Sequence, residues 1–170
     1  TSLISKEYQR TGSFSVLNFY ERRARRLLPA LLIVLLAALP VAWALLLPTQ
    51  LIRFSESALA SLLFGSNFYW SFSLQEYGAE SALLQPLLHT WSLAVEEQYY
   101  IVFPLFLVAL LSRSKRATVA AVWVGLVVSL IFSQWYTQVD SAFSFYLLPS
   151  RLWELLAGAI LALAPTGMAK

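Results

Sequence analysis

Charge is absent along four long stretches of this chain. No Asp, Glu, Lys or Arg occurs between Arg26 and Arg53, between Glu56 and Glu76, between Glu97 and Arg113, or between Arg116 and Asp140. A helix needs about 20 mostly apolar residues to cross a bilayer core of about 30 Å, and these gaps are of that order. A soluble bundle would show polar faces at helical spacing, and Leu27 to Leu47 shows none. The pattern therefore predicts an all-α protein. It is a multi-pass transmembrane helical bundle of about five apolar helices, with residues 1–170 forming a single membrane domain.

The first span is expected from about Leu27 to Leu47, with Pro29 tolerated in its first turn, Pro40 kinking it and Pro48 ending it. The second, Phe54 to Trp70, carries Glu56 near its start and ends on Asn67-Phe-Tyr-Trp70, which has the aromatic character of a membrane interface. A polar loop, Ser71 to Gln85, contains Glu76, Gly78 and Glu80. Pro86 suits the first position of a third helix running to about Ser112, with a kink expected at Pro104. Arg113-Ser-Lys-Arg116 is a tight basic loop. The fourth helix is expected over Ala117 to about Tyr136 and the fifth over about Phe143 to Ala164, closed by Pro165 and Gly167.

Two topology signals conflict. The basic clusters Arg22–Arg26 and Arg113–Arg116 should both face the cytoplasm. Three full crossings between them would put them on opposite sides. Either Phe54–Trp70 is re-entrant or interfacial, or the second cluster breaks the rule. At the other extreme of polarity, Lys6 to Arg26 is the most polar stretch, broken by Gly12 and Ser13. The opening Thr1-Ser-Leu-Ile reads as the last turn of a helix whose beginning is missing, so the chain is expected to be a fragment.

Composition sharpens this picture by exclusion. Hydrophobic residues make up 59% of the chain and charged residues 12%, both departing from soluble domains in the membrane direction. There is no cysteine, so disulfides and thiolate metal sites are excluded, and a single His argues against zinc or di-iron. No metal and no permanently bound cofactor is expected. The net charge of +3 comes from basic residues beside apolar spans, which is a membrane-topology signal rather than a nucleic-acid surface.

The third helix concentrates the candidate chemistry in His89-Thr-Trp-Ser-Leu-Ala-Val-Glu-Glu-Gln-Tyr-Tyr100. At 3.6 residues per turn, His89, Ser92, Glu96, Tyr99 and Phe103 fall on one stripe, with Glu97 about 100° away. Adjacent carboxylates in an apolar span cost about 2.5 kcal/mol or more each if ionised and unpaired. They must be protonated, paired or beside a water-filled cavity. Stripe reasoning favours Glu96 for the cavity; the plain structural reading pairs the carboxylates with Arg151 or Arg53. His89 is a candidate base and Ser92 a nucleophile by position only. In the cluster Tyr20-Glu-Arg-Arg-Ala-Arg-Arg26, the arginines anchor the first span against anionic lipid. Guanidinium forks also suit a phosphorylated donor. In Pro149-Ser-Arg-Leu-Trp-Glu154, Arg151 and Glu154 are i,i+3 neighbours that can neutralise each other or, with Asn67, line a cavity.

Four blocks together resemble the acyltransferase-3 family of bacterial inner-membrane proteins. They are Phe19-Tyr-Glu-Arg-Arg-Ala-Arg-Arg-Leu-Leu-Pro29, Ser66-Asn-Phe-Tyr-Trp70, Pro86-Leu-Leu-His-Thr-Trp-Ser-Leu-Ala-Val-Glu-Glu-Gln-Tyr-Tyr100 and Pro149-Ser-Arg-Leu-Trp-Glu-Leu-Leu-Ala-Gly158. The resemblance covers nearly the whole chain. It implies O-acylation of a glycan such as lipopolysaccharide, peptidoglycan or exopolysaccharide, with acyl-coenzyme A (acetyl-coenzyme A foremost) as donor and a glycan hydroxyl as acceptor. It also implies that an Arg-x-x-Arg element, matched by Arg23 and Arg26 and overlapped by Arg22 and Arg25, meets the donor phosphates. His89, Ser92, Glu96 and Glu97 would then line the thioester cavity. The family's Arg-x10-His motif has no counterpart here, since Gly78 stands where the Arg would precede His89. Residues 1–170 alone are thus expected to insert into membranes yet be catalytically inert. The alternative from another class is a transporter-like or scaffold membrane protein whose carboxylates relay protons or pair helices.

Overall fold

The computed structural model describes residues 4, 7, 14–75, 84–112 and 114–163. Among them the order of elements is α1 (Val16–Leu45), α2 (Pro48–Leu62), α3 (Ser66–Ser73), α4 (Thr90–Leu111), α5 (Lys115–Val139), α6 (Ser141–Tyr146) and α7 (Leu148–Leu163), with no strand. Expectations that fall on Thr1, Ser2 and Leu3, on Gly12 and Ser13, on Glu76, Gly78 and Glu80, on Arg113, and on Pro165 and Gly167 lie outside the described residues. The chain divides into two compact units, Leu17–Glu97 and Thr1–Val16 with Gln98–Lys170; the boundary falls within α4.

Four segments are long and apolar enough to cross a membrane: α1, α4, α5 and Ser141–Leu163. Ile33, Leu36 and Trp43 of α1 and Val128 and Ile131 of α5 are all well exposed. Large apolar side chains turned outward over whole helices suit a lipid solvent, not water. This is a membrane protein.

The apolar pattern located the helices but misjudged several of their ends. α1 begins at Val16 and runs unbroken through Pro29 and Pro40, so the arginine cluster is helical and Pro29 lies well inside. Pro48 does not merely end α1; it opens α2 at the first position, where a missing N–H is harmless. The N–H of Leu47 just before it donates to Gln50 Oε1 at 3.1 Å.

The expected Phe54–Trp70 helix is two helices. Its break at Phe64 and Gly65 puts Phe64 at φ 52°, in the left-handed region that a phenylalanine rarely occupies. The N–H of Gly65 reaches back to the carbonyl of Ala60 at 2.8 Å and closes α2. At 15 and 8 residues, neither α2 nor α3 has the length to span.

In unit 98–170, α5 packs along α7. Thr118, Val122 and Ser129 are buried on α5, and Ser150, Leu156, Ala159 and Leu163 on α7. Close approach depends on Gly125, where a Cβ would stand 3.1 Å from Leu156 Cδ1; small residues at the contact are how membrane helices gain packing without a hydrophobic drive. Ser129 Oγ donates to the carbonyl of Pro149 at 2.6 Å and accepts from the N–H of Trp153 at 3.0 Å. Those two backbone groups are one turn apart and pair directly in an undisturbed helix, so α5 grips the first turn of α7 through its backbone. The expected single fifth helix is interrupted at Leu147, which is extended (φ −96°, ψ 144°). Pro149 cannot continue α6 but fits the first turn of α7, and Asp140 caps α6 by accepting from Phe143 N at 2.8 Å.

Candidate functional site

Within unit 17–97 the fold brings the arginine cluster of α1 to the start of α4. Arg23 Nε donates to Glu97 Oε1 and Oε2 at 2.8 and 3.0 Å, and its Nη2 also reaches Oε1. The side chains are 22% and 11% exposed. A bidentate guanidinium–carboxylate pair satisfies the hydrogen-bonding groups of both partners inside an apolar span. Glu97's partner is Arg23, rather than the Arg151 or Arg53 that its sequence position suggested.

The two glutamates separate as their roughly 100° offset requires. Glu97 is buried, whereas Glu96 and Ser92 are exposed together. Period fixes which residues share a face; it does not say which face turns inward. His89 is not on the helix at all. It is exposed in the turn before Thr90, and its carbonyl accepts the Ser92 hydroxyl at 3.1 Å. The Ser92 hydroxyl thus rests on backbone, one turn back.

The other members of the arginine cluster stand on the same helix. Arg22 and Arg26 are exposed, and Arg25 pairs with Glu21 at 2.6 Å across one turn. Arg22 and Arg26 thus stand on either side of Arg23, which pairs with Glu97.

Asn67 is fully buried on α3 beside Ser66 and Ser71, in the same unit as the buried Ser57 and Ser61 of α2 and Thr90 of α4. Ser61 Oγ and Thr90 Oγ1 lie 2.8 Å apart, and Ser61 also donates to the carbonyl of Ser57 at 2.7 Å. Apart from Asn67, this polar interior is missing from the sequence expectations. Its signal was there in Ser57 and Ser61, four residues apart on one face of an otherwise apolar helix. At the far edge of α3, the Tyr69 hydroxyl donates to the carbonyl of Arg53 at 3.2 Å and to Glu56 Oε2 at 3.1 Å. Burial pushes the Tyr69 phenol above its ordinary range, with the Glu56 carboxylate adding to the rise against a lowering hydrogen bond from Ser73 and the Arg53 charge.

Arg151 and Glu154 pair with each other in unit 98–170, with Arg151 Nη2 at 2.8 and 3.0 Å from the two carboxylate oxygens. No cluster of three His, Cys, Asp or Glu able to hold a metal ion occurs among the described residues.

Comparison with known proteins meets this arrangement from outside. The family described as "Acyltransferase domain", acyltransferase-3, matches residues 2–166. The chain is 37% identical over 166 residues to the "Putative O-acetyltransferase" of Staphylococcus aureus strain COL, and 33% identical over 165 residues to O-acetyltransferase OatA of Staphylococcus aureus strain NCTC 8325. Each alignment covers 95% of this chain and 27% of the relative, so the chain spans about a quarter of the length of these relatives. No solved structure matches. With the family matched across nearly every residue, the chain belongs to the acyltransferase-3 family.

Proposed function

We propose that the protein carrying this chain is a membrane-bound O-acyltransferase. It moves an acyl group, acetyl by the names of its relatives, from acyl-coenzyme A to a hydroxyl of a cell-surface carbohydrate or glycolipid. The observation that carries the reading is the Arg23–Glu97 pair. It ties the basic cluster of the first span to the helix bearing the Thr-Trp-Ser-Leu-Ala-Val-Glu-Glu-Gln block. A donor whose phosphates sit on Arg22 and Arg26 is thereby registered against α4.

The side follows from charge. The basic residues Arg22 to Arg26 at the start of α1 make that end of the span cytoplasmic. This is where acyl-coenzyme A is found, at the inner membrane of a bacterial cell.

Transfer requires the acceptor oxygen to attack the thioester carbonyl carbon, the carbon–sulfur bond to break and the thiol to leave with a proton. A base must take the hydroxyl proton, and donors must face the developing oxyanion. His89, exposed ahead of α4, is the candidate base that this chain contributes, with Glu96 and Ser92 exposed nearby in sequence. Glu97 acts differently: it orients Arg23 and keeps the cluster rigid.

The test is donor dependence of the intact protein in proteoliposomes supplied with acetyl-coenzyme A and a glycan acceptor. Arg26→Ala should raise the donor KM by about tenfold, the worth of a charge-assisted hydrogen bond. Arg26→Lys should recover only part, because an ammonium cannot reproduce the fork. Unchanged donor KM in both variants would reduce the cluster to a membrane anchor and overturn the reading.

A further inference from the structure

Most buried hydroxyls of unit 17–97 are satisfied by nearby backbone. Those of Ser57, Ser71 and Thr90 each donate to the carbonyl three residues back, at 2.8, 2.8 and 2.7 Å. That of Ser61 donates four residues back, to Ser57. Such back-bonding is the local way to satisfy a hydroxyl in a helix. Two side chains break the pattern. Ser66 Oγ and the Trp70 Nε1–H have no hydrogen-bond partner among the described residues, although Ser66 is 0% and Trp70 2% exposed. Buried donors are nearly always paired, so two left over on one short helix call for a physical reason.

The break between α2 and α3 explains the first. Ser66 opens α3, so the carbonyls three and four residues back belong to Leu63 and Leu62. Phe64, at φ 52°, turns the chain between them and Ser66, and the helix that would present those carbonyls is interrupted. Trp70 follows one turn later on the same face of α3, where i and i+4 Cβ atoms stand about 5–6 Å apart. The two donors are therefore neighbours. The indole is also held in place: the Tyr69 ring meets it edge to face at 4.9 Å. The Tyr69 hydroxyl is in turn fastened to the Arg53 carbonyl and the Glu56 carboxylate of α2.

An indole N–H only donates, and a hydroxyl donates one proton, so the missing partner is an acceptor. The other buried polar side chains of α2 and α3, Ser57, Ser61, Asn67 and Ser71, are uncharged. A full anion there would have no cation to offset its desolvation. A neutral carbonyl oxygen fits, because its two lone pairs accept from both donors at about 2.7–3.1 Å each. Neither donor atom is open to water, so the oxygen reaches them only when α3 gives way at the Phe64–Gly65 elbow.

We propose that Ser66 and Trp70 are a donor pair for a carbonyl oxygen of the acyl donor. The pair rests on the acyltransferase reading and deepens it. Against the thioester carbonyl it stabilises the negative charge that gathers on oxygen as the acceptor attacks. Against an amide carbonyl of the coenzyme A arm it fixes the donor in position instead.

The experiment uses the intact protein with Ser66→Ala and Trp70→Phe, each of which removes a donor and keeps most of the side chain. Steady-state transfer from acetyl-coenzyme A to a glycan acceptor is measured in proteoliposomes, and thermal midpoints in nanodiscs. A kcat lower by about a hundredfold with donor KM unchanged places the thioester carbonyl on the pair. A donor KM raised about tenfold with kcat unchanged places an amide carbonyl there. Because Ser66→Ala loses no partner, its midpoint should hold or rise; a lowered midpoint would show that the hydroxyl is satisfied within the fold and overturn the proposal. Should Trp70→Phe fold poorly, Ser66→Ala carries both readouts. Donor use by both variants within about twofold of the unaltered protein overturns the pair and leaves the acyltransferase reading standing. An unaltered protein that takes no acyl group from acetyl-coenzyme A overturns both.

Discussion

Arg23–Glu97 and Arg151–Glu154 join the same two chemical groups, yet one is made by the tertiary fold and the other by a single helix. The first pair links residues 74 apart in the chain, the second residues three apart. The Arg23–Glu97 side chains are mostly shielded; Glu154 is largely exposed. In a screened, hydrated setting an ion pair contributes about 0–1 kcal/mol. Inside an apolar span the carboxylate left alone costs far more than the pair returns. The long-range pair therefore acts as a registration device, fixing α1 against the start of α4, whereas the local pair ties together one turn of its own helix.

That contrast breaks most sharply at Arg23. Arg23→Ala strands the Glu97 carboxylate and should cost about 3 kcal/mol, the lower end for a broken buried pair since Arg23 keeps some exposure. The loss is to be read as a fall in the thermal midpoint of the intact protein in nanodiscs. Adding Glu97→Leu to Arg23→Met should restore most of that stability without restoring activity, because two apolar groups remove the unpaired charge but not the need for a positioned cluster. If the double variant is as unstable as Arg23→Ala, desolvation of Glu97 is not what the pair relieves.

The matching substitution in the other unit, Arg151→Ala, should lower stability by no more than about 1 kcal/mol. The same thermal measurement checks it, and a loss as large as that of Arg23→Ala would erase the distinction between the two pairs.

The smallest expected effect comes from Tyr69, a tertiary contact of the same unit as Arg23 but without an ion pair. Its phenol is held above the ordinary value of 10.0, so the folded state favours the neutral hydroxyl. The stability this brings is complete below about pH 10 and is lost as pH rises through the raised value. The thermal midpoint should therefore fall slightly more steeply above about pH 10 than that of Tyr69→Phe; parallel pH curves would show that the burial of Tyr69 carries no linkage.

The membrane class is legible in the charge pattern alone, because uncharged runs of spanning length leave few alternatives. So is the Arg151–Glu154 pair, since helical spacing alone makes i,i+3 neighbours. The split of Phe54–Trp70 is harder to see. Only Gly65 marks it, and the decisive feature is Phe64 at positive φ, a backbone state that sequence propensity argues against. The break at Leu147 is signalled by Pro149, but a proline two residues into a helix is compatible with a kink or with a fresh start.

The candidate site shows the same division. Helical periodicity placed His89, Ser92, Glu96 and Glu97 on or beside one helix and set the angle between the two glutamates. It set Glu96 with Ser92, which are exposed together, but did not show that Glu97 is buried against Arg23. The hydroxyls of Ser57, Ser61 and Thr90 likewise become a cluster only when α2 and the start of α4 meet.

Whatever depends on neighbours within a few turns is written in the order of residues: which stretches are apolar enough for lipid, which ends are basic, which residues share a helix face, and the family. Three-dimensional packing chose which face turns inward, that Glu97 takes Arg23 across 74 residues, and that the Ser129 hydroxyl enters the first turn of α7. The reason is physical. Local periodicity is set by the backbone, but in a span that is apolar all round no hydrophobic stripe tells inside from outside, so only packing and the pairing of buried charge can choose.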